Sequence, residues 1–325
     1  MTVRLSVDVE TWPIAGRFTI ARGSKTEATV VVVRLDRGMG CGECVPYARY
    51  GETVEGVVAQ IESVRPEIER GAGQARLQDL LPPGAARNAL DCALWDLEAK
   101  RTGQRAWQRA GLQRLDPVKT AYTLSLDEPE AMAEAARANA RRPMLKLKIG
   151  GPDDLDRVEA VRRAAPKARL ILDANEALGF DNLRRLSPEF ARLGVVLLEQ
   201  PLGAGEDEAL EGYDSSVPLC GDESLHSRAE LAACARRYSA INIKLDKAGG
   251  LTEALALKRE AQALGLEIMV GCMVATSLSM APAVLVAQGA RFVDLDGPLL
   301  LATDRTPGLT YVGSMIEPPS PQVWG

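Results

Sequence analysis

The chain contains 325 residues, which exceeds the size at which one hydrophobic core stops growing, so we expect one large and one smaller domain. Its hydrophobic share of 46% and charged share of 26% are typical of folded proteins and exclude a disordered tail or a fibrous repeat. The 39 basic and 44 acidic residues give a net charge of -5 without a basic cluster, which excludes an electrostatic footprint for nucleic acid.

The sequence carries no predicted signal for export or membrane insertion. Residues 1–10 alternate charged and apolar side chains without the apolar core of a signal peptide, and no run approaches the roughly 18 apolar residues of a membrane span. Six cysteines in a chain of this length are not a disulfide framework, so we expect a cytoplasmic protein. Cys41 and Cys44 form a single C-x-x-C pair, which we interpret as small residues in a turn, because a second pair for zinc is absent.

Residues 1–116 are predicted to form a small α+β capping domain. Residues 29–35 have the composition of a strand, a glycine-rich turn spans residues 38–42, and helical segments follow. In one predicted helix an apolar face recurs at three- and four-residue steps through Ala86, Leu90, Ala93, Leu94 and Leu97. We expect the C-terminal tail, residues 305–325, to join this domain.

Residues 117–304 are predicted to form a modified TIM barrel, an α/β fold of (β/α)7β topology. Short apolar segments alternate with segments rich in Ala, Arg and Glu, and successive strand ends lie 22 to 27 residues apart, as one strand, one helix and two loops require. The eight predicted strands are Lys119–Leu124, Met144–Ile149, Arg169–Asp173, Val195–Glu199, Pro218–Gly221, Ala240–Lys244, Glu267–Gly271 and Arg291–Asp294. A helix should follow each of the first seven, and the last should be bare.

Three acidic residues stand at the ends of successive predicted strands: Asp173, Glu199 and Asp222. A parallel barrel brings the carboxyl ends of its strands to one rim, where the active sites of this fold lie, so these carboxylates should converge. An all-oxygen ligand set without His or Cys selects a hard divalent cation, and we predict Mg²⁺. A structural alternative, in which the acids pair with bases in a rim network, stays open at this point.

Basic residues flank the acids in the strand order. Lys146 and Lys148 stand two apart on one strand and face the same way, and Lys244 ends a strand on the other side of the acids. Burial and a neighbouring cation would lower the pKa of Lys148 and make it a base. We therefore expect Lys148 and Lys244 to face two sides of one substrate carbon. One would remove a proton next to a carboxylate and the other would return it, with Mg²⁺ stabilising the enediolate.

Over essentially its whole length the chain resembles the enolase superfamily, in its muconate-lactonizing subgroup. Besides the strand ends, the resemblance rests on the Gly-x-Gly-Glu turn at residues 40–43 and on helix motifs at residues 89–91 and 93–97. The roles that it implies are Mg²⁺ ligands in Asp173, Glu199 and Asp222, an acid/base pair in Lys148 and Lys244, and neutralisation of the substrate carboxylate by Lys146.

The final predicted strand distinguishes members of this subgroup. Asp294 and Asp296 present two carboxylates on one face, with no basic residue adjacent in the sequence, and such a pair favours a substrate ammonium group. This feature resembles the dipeptide epimerases, in which the pair holds the free amino terminus. The same resemblance implies that Arg22 meets a side-chain carboxylate of the substrate and that Thr123 and Cys272 line the pocket.

The expected activity is inversion of the α-carbon of the C-terminal residue of a dipeptide, with L-Ala-D/L-Glu as the expected pair, in the reuse of cell-wall peptides. The alternatives are a cycloisomerase or o-succinylbenzoate synthase of the same subgroup, or a non-catalytic relative that binds a small anion. The loop of residues 46–51 should close over the barrel. His226 is expected to be exposed at a helix start, which argues against a histidine-dependent racemase. Whether copies form a homo-oligomer is left open.

Overall fold

The structure, a computed structural model, describes residues 3–325. Its first sheet has three antiparallel strands in the order β1-β2-β3, which are β1 Leu5–Ile20, β2 Gly23–Leu35 and β3 Gly40–Cys44. Strand β1 lies outside the predicted elements, because only two of its sixteen residues are buried and the strand gives little apolar signal. Cys41 and Cys44 lie on β3 rather than in a turn.

Strand β2 is buried on both faces at its centre. Val31 and Val33 pack against the capping-domain helices, whereas Val30 and Val32 belong to the core that also contains the barrel. Successive strand residues point to opposite faces, so an unbroken run of valines is the pattern that a strand between two apolar layers requires.

The helices of the capping domain are α1 Val54–Ser63, α2 Arg65–Glu69, α3 Gln74–Leu80, α4 Ala85–Thr102 and α5 Ala106–Arg109. The predicted apolar face lies on α4, but this helix is buried nearly all round, including Asp91 and Asp96. It packs closely on β3, where a Cβ at Gly40 or Gly42 would overlap carbonyl oxygens of α4. The glycines of the Gly-x-Gly-Glu motif therefore permit this approach.

Eight parallel strands form the predicted barrel, in the spatial order β5 to β12. In chain order they are β5 Tyr122–Leu124, β6 Met144–Lys148, β7 Arg169–Asp173, β8 Val195–Glu199, β9 Leu219–Gly221, β10 Ala240–Ile243, β11 Glu267–Val270 and β12 Phe292–Val293. The amide of Ala121 donates to Val293 O at 2.8 Å and joins the first strand to the last. The predicted α/β barrel is confirmed.

The barrel helices are α6 Pro129–Ala138, α7 Leu155–Ala164, α8 Phe180–Arg192, α9 Leu231–Arg237, α10 Leu245–Ala248, α11 Leu251–Ala263, α12 Ser277–Val286 and α13 Gly297–Leu300. Two details differ from the prediction. A single 3-10 turn, Asp207–Leu210, stands where a helix after β8 is expected, and the last strand is followed by the short α13. Within residues 3–325 there is no helix with the length and apolarity to cross a bilayer.

The C-terminal tail contacts both parts of the chain. Its hairpin, β13 Tyr311–Val312 and β14 Met315–Ile316, pairs with β4 Val118–Lys119 at the barrel entry. The indole of Trp324 donates to Cys92 O at 3.1 Å in the capping domain. The hairpin thus attaches the tail to the barrel entry, and Trp324 attaches its last residues to α4.

Polar side chains, most of them buried, connect the capping domain to the barrel, and we call this set the interdomain seam: Glu43, Asn88, Asp91, Asp246, Thr252, Thr276 and Arg305. Both oxygens of Glu43 accept hydrogen bonds from Thr276, whose amide donates at 2.9 Å and whose hydroxyl donates at 2.5 Å. The guanidinium of Arg305 lies 2.6 Å from the Glu43 carboxylate. The seam holds the capping domain over the barrel rim.

Candidate active site

The carboxyl ends of the barrel strands open into a cavity of about 1010 Å³. The opposite wall is formed by the turn between β1 and β2 and by residues 45–54. The predicted site residues in the lining are Arg22, Thr123, Lys146, Lys148, Asp222, Lys244, Cys272, Asp294 and Asp296. Asp173 and Glu199 contact Lys146 behind this lining, so the fold gathers all the predicted site residues in one place.

The three predicted metal ligands stand side by side at the rim. Asp173 and Glu199 are the last residues of β7 and β8 and are paired in register, and Asp222 directly follows β9. Each is at most 1% exposed. Because neighbouring parallel strands end at the same rim, the three carboxylates project from adjacent positions.

Lys146 is the cation at the centre of this row. Its Nζ lies 3.0 Å from Asp173 Oδ2, 2.7 Å from Glu199 Oε2 and 2.8 Å from Asp294 Oδ2. Burial by itself would lower the pKa of Lys146, but the three carboxylates outweigh it and raise the pKa well above its usual value. Lys146 is therefore held as an ammonium and serves as a charge partner.

Lys148 and Lys244 lie at the two ends of the row of acids. Lys148 ends β6, next to β7, and its Nζ lies 2.6 Å from Asp173 Oδ2. Lys244 follows β10, next to β9, and its Nζ lies 2.6 Å from Asp222 Oδ2. Burial would lower the pKa of Lys244, but the charges of Asp222 and Glu199 raise it well above its usual value. In this arrangement Lys244 is an ammonium.

A fourth lysine, Lys247, belongs to the site and is missing from the sequence-based prediction. It lies on α10, is 2% exposed, and donates to Asp222 O at 2.5 Å, Asp222 Oδ1 at 2.6 Å and Asn242 O at 3.0 Å. Lys247 thus holds the Oδ1 atom of the Asp222 carboxylate while Lys244 holds Oδ2, and its other two contacts go to backbone carbonyl oxygens. The available signal is the Lys-x-x-Lys spacing, which puts both lysines on one face of a helical turn.

The site contains more buried negative than positive charge, since two more buried carboxylates than ammonium groups surround the cavity floor. The acids are Asp173, Glu199, Asp222, Glu223, Asp294 and Asp296, and the bases are Lys146, Lys148, Lys244 and Lys247. Burial and the charge of Asp173 raise the pKa of Glu199 to about 7. Although Glu199 Oε2 lies close to Lys146, the contact lacks hydrogen-bond geometry. This donor set fits a divalent cation.

Within residues 3–325 no group of three or more acidic, histidine or cysteine side chains is arranged as a ready metal site. The ammonium groups of Lys146, Lys148 and Lys244 contact the carboxylate oxygens instead. A metal would therefore exchange places with lysine contacts at Asp173, Glu199 and Asp222.

The acidic pair after the last strand lies at the mouth and is nearly inaccessible to solvent, with Asp294 4% and Asp296 2% exposed. The Thr123 amide donates to Asp296 Oδ2 at 2.6 Å, and the Thr123 hydroxyl donates to Asp294 Oδ1 at 3.4 Å. Burial and the charge of Asp294 raise the pKa of Asp296 to about 7. A base does adjoin the pair in space, because Lys146 contacts Asp294.

Arg22 stands in the turn between β1 and β2 and reaches the barrel. Its Nη1 donates to Asn175 O at 2.7 Å and Glu176 Oε2 at 3.1 Å, and its Nη2 donates to Glu223 Oε1 at 2.8 Å and Tyr47 Oη at 3.2 Å. Burial would lower the pKa of Arg22, but Tyr47 and Glu223 raise it above its usual value. Sequence analysis does not identify these acidic partners.

Two more predicted residues remain, Cys272 in the cavity wall and His226, which meets the loop of residues 46–51, called the capping loop from here on. Cys272 lies in the cavity wall after β11, where burial and the charge of Asp294 raise the pKa of its thiol well above the usual value. The prediction that His226 is exposed is wrong, because its ring packs edge-on against Tyr50 with 4.4 Å between centroids. Tyr50 also lines the cavity, so residues 46–51 rest on the rim.

Two family models match the chain. Residues 2–111 match the model described as "Mandelate racemase / muconate lactonizing enzyme, N-terminal domain", and residues 130–320 match "Enolase C-terminal domain-like". An L-Ala-D/L-Glu epimerase of Escherichia coli is 47% identical over 93% of this chain and 95% of its own length. An N-acetyl-D-glutamate racemase of Pseudoalteromonas is 44% identical over 91% of this chain and 95% of its own length.

Solved structures agree with these relatives. An enolase family member from Agrobacterium tumefaciens, described as homologous to dipeptide epimerases and containing sodium and L-Ala-L-Glu, matches with a TM-score of 0.98 and 54% identity, covering 99% of this chain and 100% of that one. A dipeptide epimerase from Enterococcus faecalis, containing Mg and L-Leu-L-Tyr, matches with a TM-score of 0.90 and 28% identity, covering 98% of each chain.

Proposed function

Because the chain belongs to the enolase superfamily, in its mandelate racemase and muconate lactonizing enzyme group, we propose that it is a Mg²⁺-dependent dipeptide epimerase that interconverts L-Ala-L-Glu and L-Ala-D-Glu. The observation that carries the proposal is the row of buried acids with Lys148 at one end and Lys244 at the other. Inversion of a stereocentre requires a proton acceptor on one face of the carbon and a donor on the other, and this row supplies an amine at each end.

The proton transfers balance between the two lysines. One lysine, as a neutral amine, takes the α-proton, and the electron pair of the broken C–H bond stays on the substrate. The other lysine, as an ammonium, then delivers a proton to the opposite face and becomes neutral. The raised pKa of Lys244 supports a start in which Lys244 is the acid. The reverse reaction exchanges these roles.

Asp173, Glu199 and Asp222 would hold Mg²⁺, which when bound offsets the negative charge that develops on the substrate carboxylate. Carboxylate ligands without nitrogen or sulfur support this metal. Lys146 remains an ammonium beside the same carboxylate, and Lys247 keeps Asp222 in place.

The substrate would lie between the acidic pair and Arg22. Asp294 and Asp296 would accept the N-terminal ammonium of the dipeptide, with Thr123 orienting both carboxylates. At the other side of the cavity, Arg22 would meet the side-chain carboxylate of the C-terminal residue, since a guanidinium fork matches a carboxylate. Cys272 would line the space around the N-terminal residue.

Racemisation of N-acetylglutamate is the second candidate, because a racemase of that substrate is 44% identical to this chain. The two activities share the glutamate moiety and differ at its nitrogen, where the acetylated substrate carries no ammonium. The buried acidic pair favours the dipeptide, since an acetylated nitrogen offers the two carboxylates no ammonium group. The same argument disfavours a cycloisomerase or succinylbenzoate synthase. A non-catalytic anion binder is disfavoured because both lysines and all three acids are present.

We place this activity in the cytoplasm, where it would act on dipeptides released from cell-wall peptides. The absence of a disulfide among the six cysteines of the described residues agrees with a reducing compartment. The L-Ala-L-Glu seen in the Agrobacterium relative supports a dipeptide with an acidic second residue.

The test is incubation in deuterated water with Mg²⁺, followed by mass spectrometry and chiral separation, for L-Ala-L-Glu and N-acetyl-L-glutamate side by side. We expect one deuteron at the glutamate α-carbon and formation of the D-epimer from the dipeptide, with far slower exchange in N-acetylglutamate. Asp294→Asn/Asp296→Asn should remove this preference. Exchange confined to N-acetylglutamate would establish the second candidate, and exchange in neither would reject both.

A further inference from the structure

Glu176, in the loop after β7, adopts a backbone conformation that favours glycine, with φ of +73°. Its side chain is nevertheless only 11% exposed. A glutamate held in this region of φ needs surrounding contacts that fix it, and such positions cluster at ligand sites.

The carboxylate of Glu176 joins three segments of the chain. Its Oε1 accepts from Arg49 Nη2 at 2.7 Å and from the Ala204 amide at 2.8 Å. Its Oε2 accepts from Arg49 Nε at 2.8 Å and from Arg22 Nη1 at 3.1 Å. Glu176 therefore ties the hairpin turn of β1 and β2 and the capping loop to the barrel, through charge-assisted hydrogen bonds.

Besides Glu176, Arg22 has two contacts with the barrel and one with the loop that holds Tyr47. Without Glu176, Nη1 would keep the Asn175 carbonyl, and Nη2 would keep Glu223 and Tyr47. Tyr47 belongs to the capping loop, which Arg49 attaches to the same Glu176. Loss of Glu176 would therefore loosen both the guanidinium and the loop that supports it.

On the premise of the proposed function, we propose that Glu176 is the positioning residue for Arg22 and thereby sets the preference for an acidic C-terminal residue in the substrate. Glu176 does not touch the reacting carbon in this scheme. It orients the guanidinium that receives the side-chain carboxylate, so its effect should appear in substrate discrimination rather than in proton transfer itself.

The variant Glu176→Gln should have opposite effects depending on whether Glu176 acts by fixing the geometry of Arg22 or only through its negative charge. Removal of a negative charge beside Arg22 would, by Coulomb attraction alone, improve the recognition of an acidic substrate. Loss of the fixed guanidinium geometry would weaken that recognition, because a glutamine offers one acceptor oxygen and an amide that repels Arg22 or Arg49. The sign of the change therefore separates the two roles.

The experiment compares L-Ala-L-Glu with the near-isosteric L-Ala-L-Gln, using deuterium incorporation in the full-length protein with Mg²⁺. For Glu176→Gln we expect the ratio of kcat/KM values, Glu over Gln substrate, to fall about tenfold, the loss of roughly one charge-assisted hydrogen bond. Arg22→Ala should lower the ratio further. The double variant should match Arg22→Ala alone, because Glu176 acts through Arg22. Glu206→Gln, in an exposed barrel loop, is the matched control and should leave the ratio unchanged.

Two more variants keep the test decisive if Glu176→Gln is unstable. Arg49→Ala releases the loop but keeps the contact between Glu176 and Arg22, so the ratio should fall less than in Glu176→Gln. Arg22→Lys keeps the charge without the fork, and the ratio should fall. An unchanged or higher ratio in Glu176→Gln, an undiminished ratio in Arg22→Lys, or a double variant below Arg22→Ala would overturn the inference.

The proposed function and this inference fail in different ways. A wild-type protein that exchanges deuterium into neither dipeptide rejects the proposed function, and calorimetric binding of the same two dipeptides to wild type and Glu176→Gln then decides whether Glu176 governs the acidic preference. A wild-type protein that acts on both dipeptides equally has no such preference, which rejects the inference while the epimerase activity stands.

Discussion

The barrel mouth and the interdomain seam are both rich in buried carboxylates, yet they satisfy them differently. In the seam, Asp91 receives the Thr252 amide at 2.9 Å and the Thr252 hydroxyl at 2.7 Å, one on each oxygen. At the mouth, Glu199 Oε2 and Glu223 Oε2 are buried without a hydrogen bond from any described residue. Fixed donors, which include the guanidinium of Arg305 at Glu43, complete the seam, whereas the mouth retains acceptors for a ligand.

The difference indicates what each region is for. A seam carboxylate with short-range donors from backbone and hydroxyl groups holds two domains in one geometry, and another molecule could not improve its contacts. The mouth places like charges together and offsets them with buried lysine side chains, which is costly for stability and useful for binding and proton transfer. Changes at the mouth should therefore alter chemistry, and changes at the seam should alter stability.

The largest expected effect is at the mouth, from Lys244→Ala. Loss of one of two acid/base groups should lower the rate of epimerisation about 10³-fold, while unfolding by heat stays close to wild type. Exchange of the α-hydrogen with solvent should survive for one stereoisomer, through Lys148. NMR of L-Ala-L-Glu and L-Ala-D-Glu in deuterated water measures both. Unchanged exchange for both stereoisomers would contradict the two-lysine scheme, and Lys167→Ala, at an exposed lysine, is the control.

The matching change in the seam is Arg305→Ala. Arg305 contacts Glu43 and Glu10 at 2.6 Å each, and Glu43 is fully buried. Its removal leaves a buried carboxylate without its charge partner, so the free energy of unfolding should fall by about 3 kcal/mol. The kcat of the folded fraction should stay within about twofold, if the comparison of regions holds. Urea titration measures the free energy of unfolding, and deuterium incorporation into the substrate measures kcat. The control is Arg76→Ala, which removes an arginine from an exposed ion pair. A large loss of kcat without loss of stability would reverse the assignment.

Much of the mouth could be predicted from the sequence, because it is built from strand ends. Asp173 and Glu199 end both the predicted and the observed strands, since an ionisable residue after an apolar run at a regular spacing marks the rim of a parallel barrel. Lys247 was not predicted, because it reaches the site only through the short helix α10 that follows β10. The partners of Arg22, Glu176 and Glu223, are more than 150 residues away and meet it only through packing of the two domains.

The seam was far less predictable. The apolar repeat of α4 predicts one buried face and one polar face, but the helix lies between the first sheet and the barrel, so Asp91 and Arg87 are buried as well. An apolar repeat in the sequence predicts a helix that packs on one side only. A helix that packs on two sides buries polar residues that the repeat assigns to the exposed face. His226 is half-buried for the same reason, since Tyr50, in a loop of the other domain, packs against it.

Removal of the metal gives the next smaller effect and again separates the regions. If Mg²⁺ binds the native acids, a concentration about 100 times its Kd should stabilise the protein by about 2.7 kcal/mol over the EDTA-treated protein. Glu199→Gln should remove this stabilisation, because it replaces the central carboxylate of the row. Arg305→Ala should retain it. Differential scanning calorimetry with and without EDTA is the measurement, and equal shifts in wild type and Glu199→Gln would show that any Mg²⁺ effect comes from elsewhere.

The smallest effect concerns the pH dependence of the seam. Burial, with Glu52 and Glu43 nearby, raises the pKa of Asp246 to about 7, although the Val45 amide and the Asn88 side chain both donate to its Oδ1, at 3.0 Å and 2.8 Å. In the unfolded chain the pKa is about 3.9, so between these values the folded protein binds a proton that the unfolded chain has lost. Stability must then fall as pH rises through this window, by up to about 1.4 kcal/mol per pH unit from this group.

Asp246→Asn copies the protonated side chain at every pH and should remove this dependence. Its free energy of unfolding, relative to wild type, should therefore rise by about 1 kcal/mol between pH 5 and pH 6 in urea titrations. The residues at the mouth are the same in both proteins, so their contribution to the pH dependence cancels when one free energy of unfolding is subtracted from the other. Asp79→Asn, at an exposed aspartate, should show no such rise. If the free energy of unfolding of Asp246→Asn differed from that of wild type by the same amount at every pH, Asp246 would be ionised in the folded protein. Its two hydrogen-bond donors would then outweigh the effect of burial, as a bound metal would for the acids at the mouth.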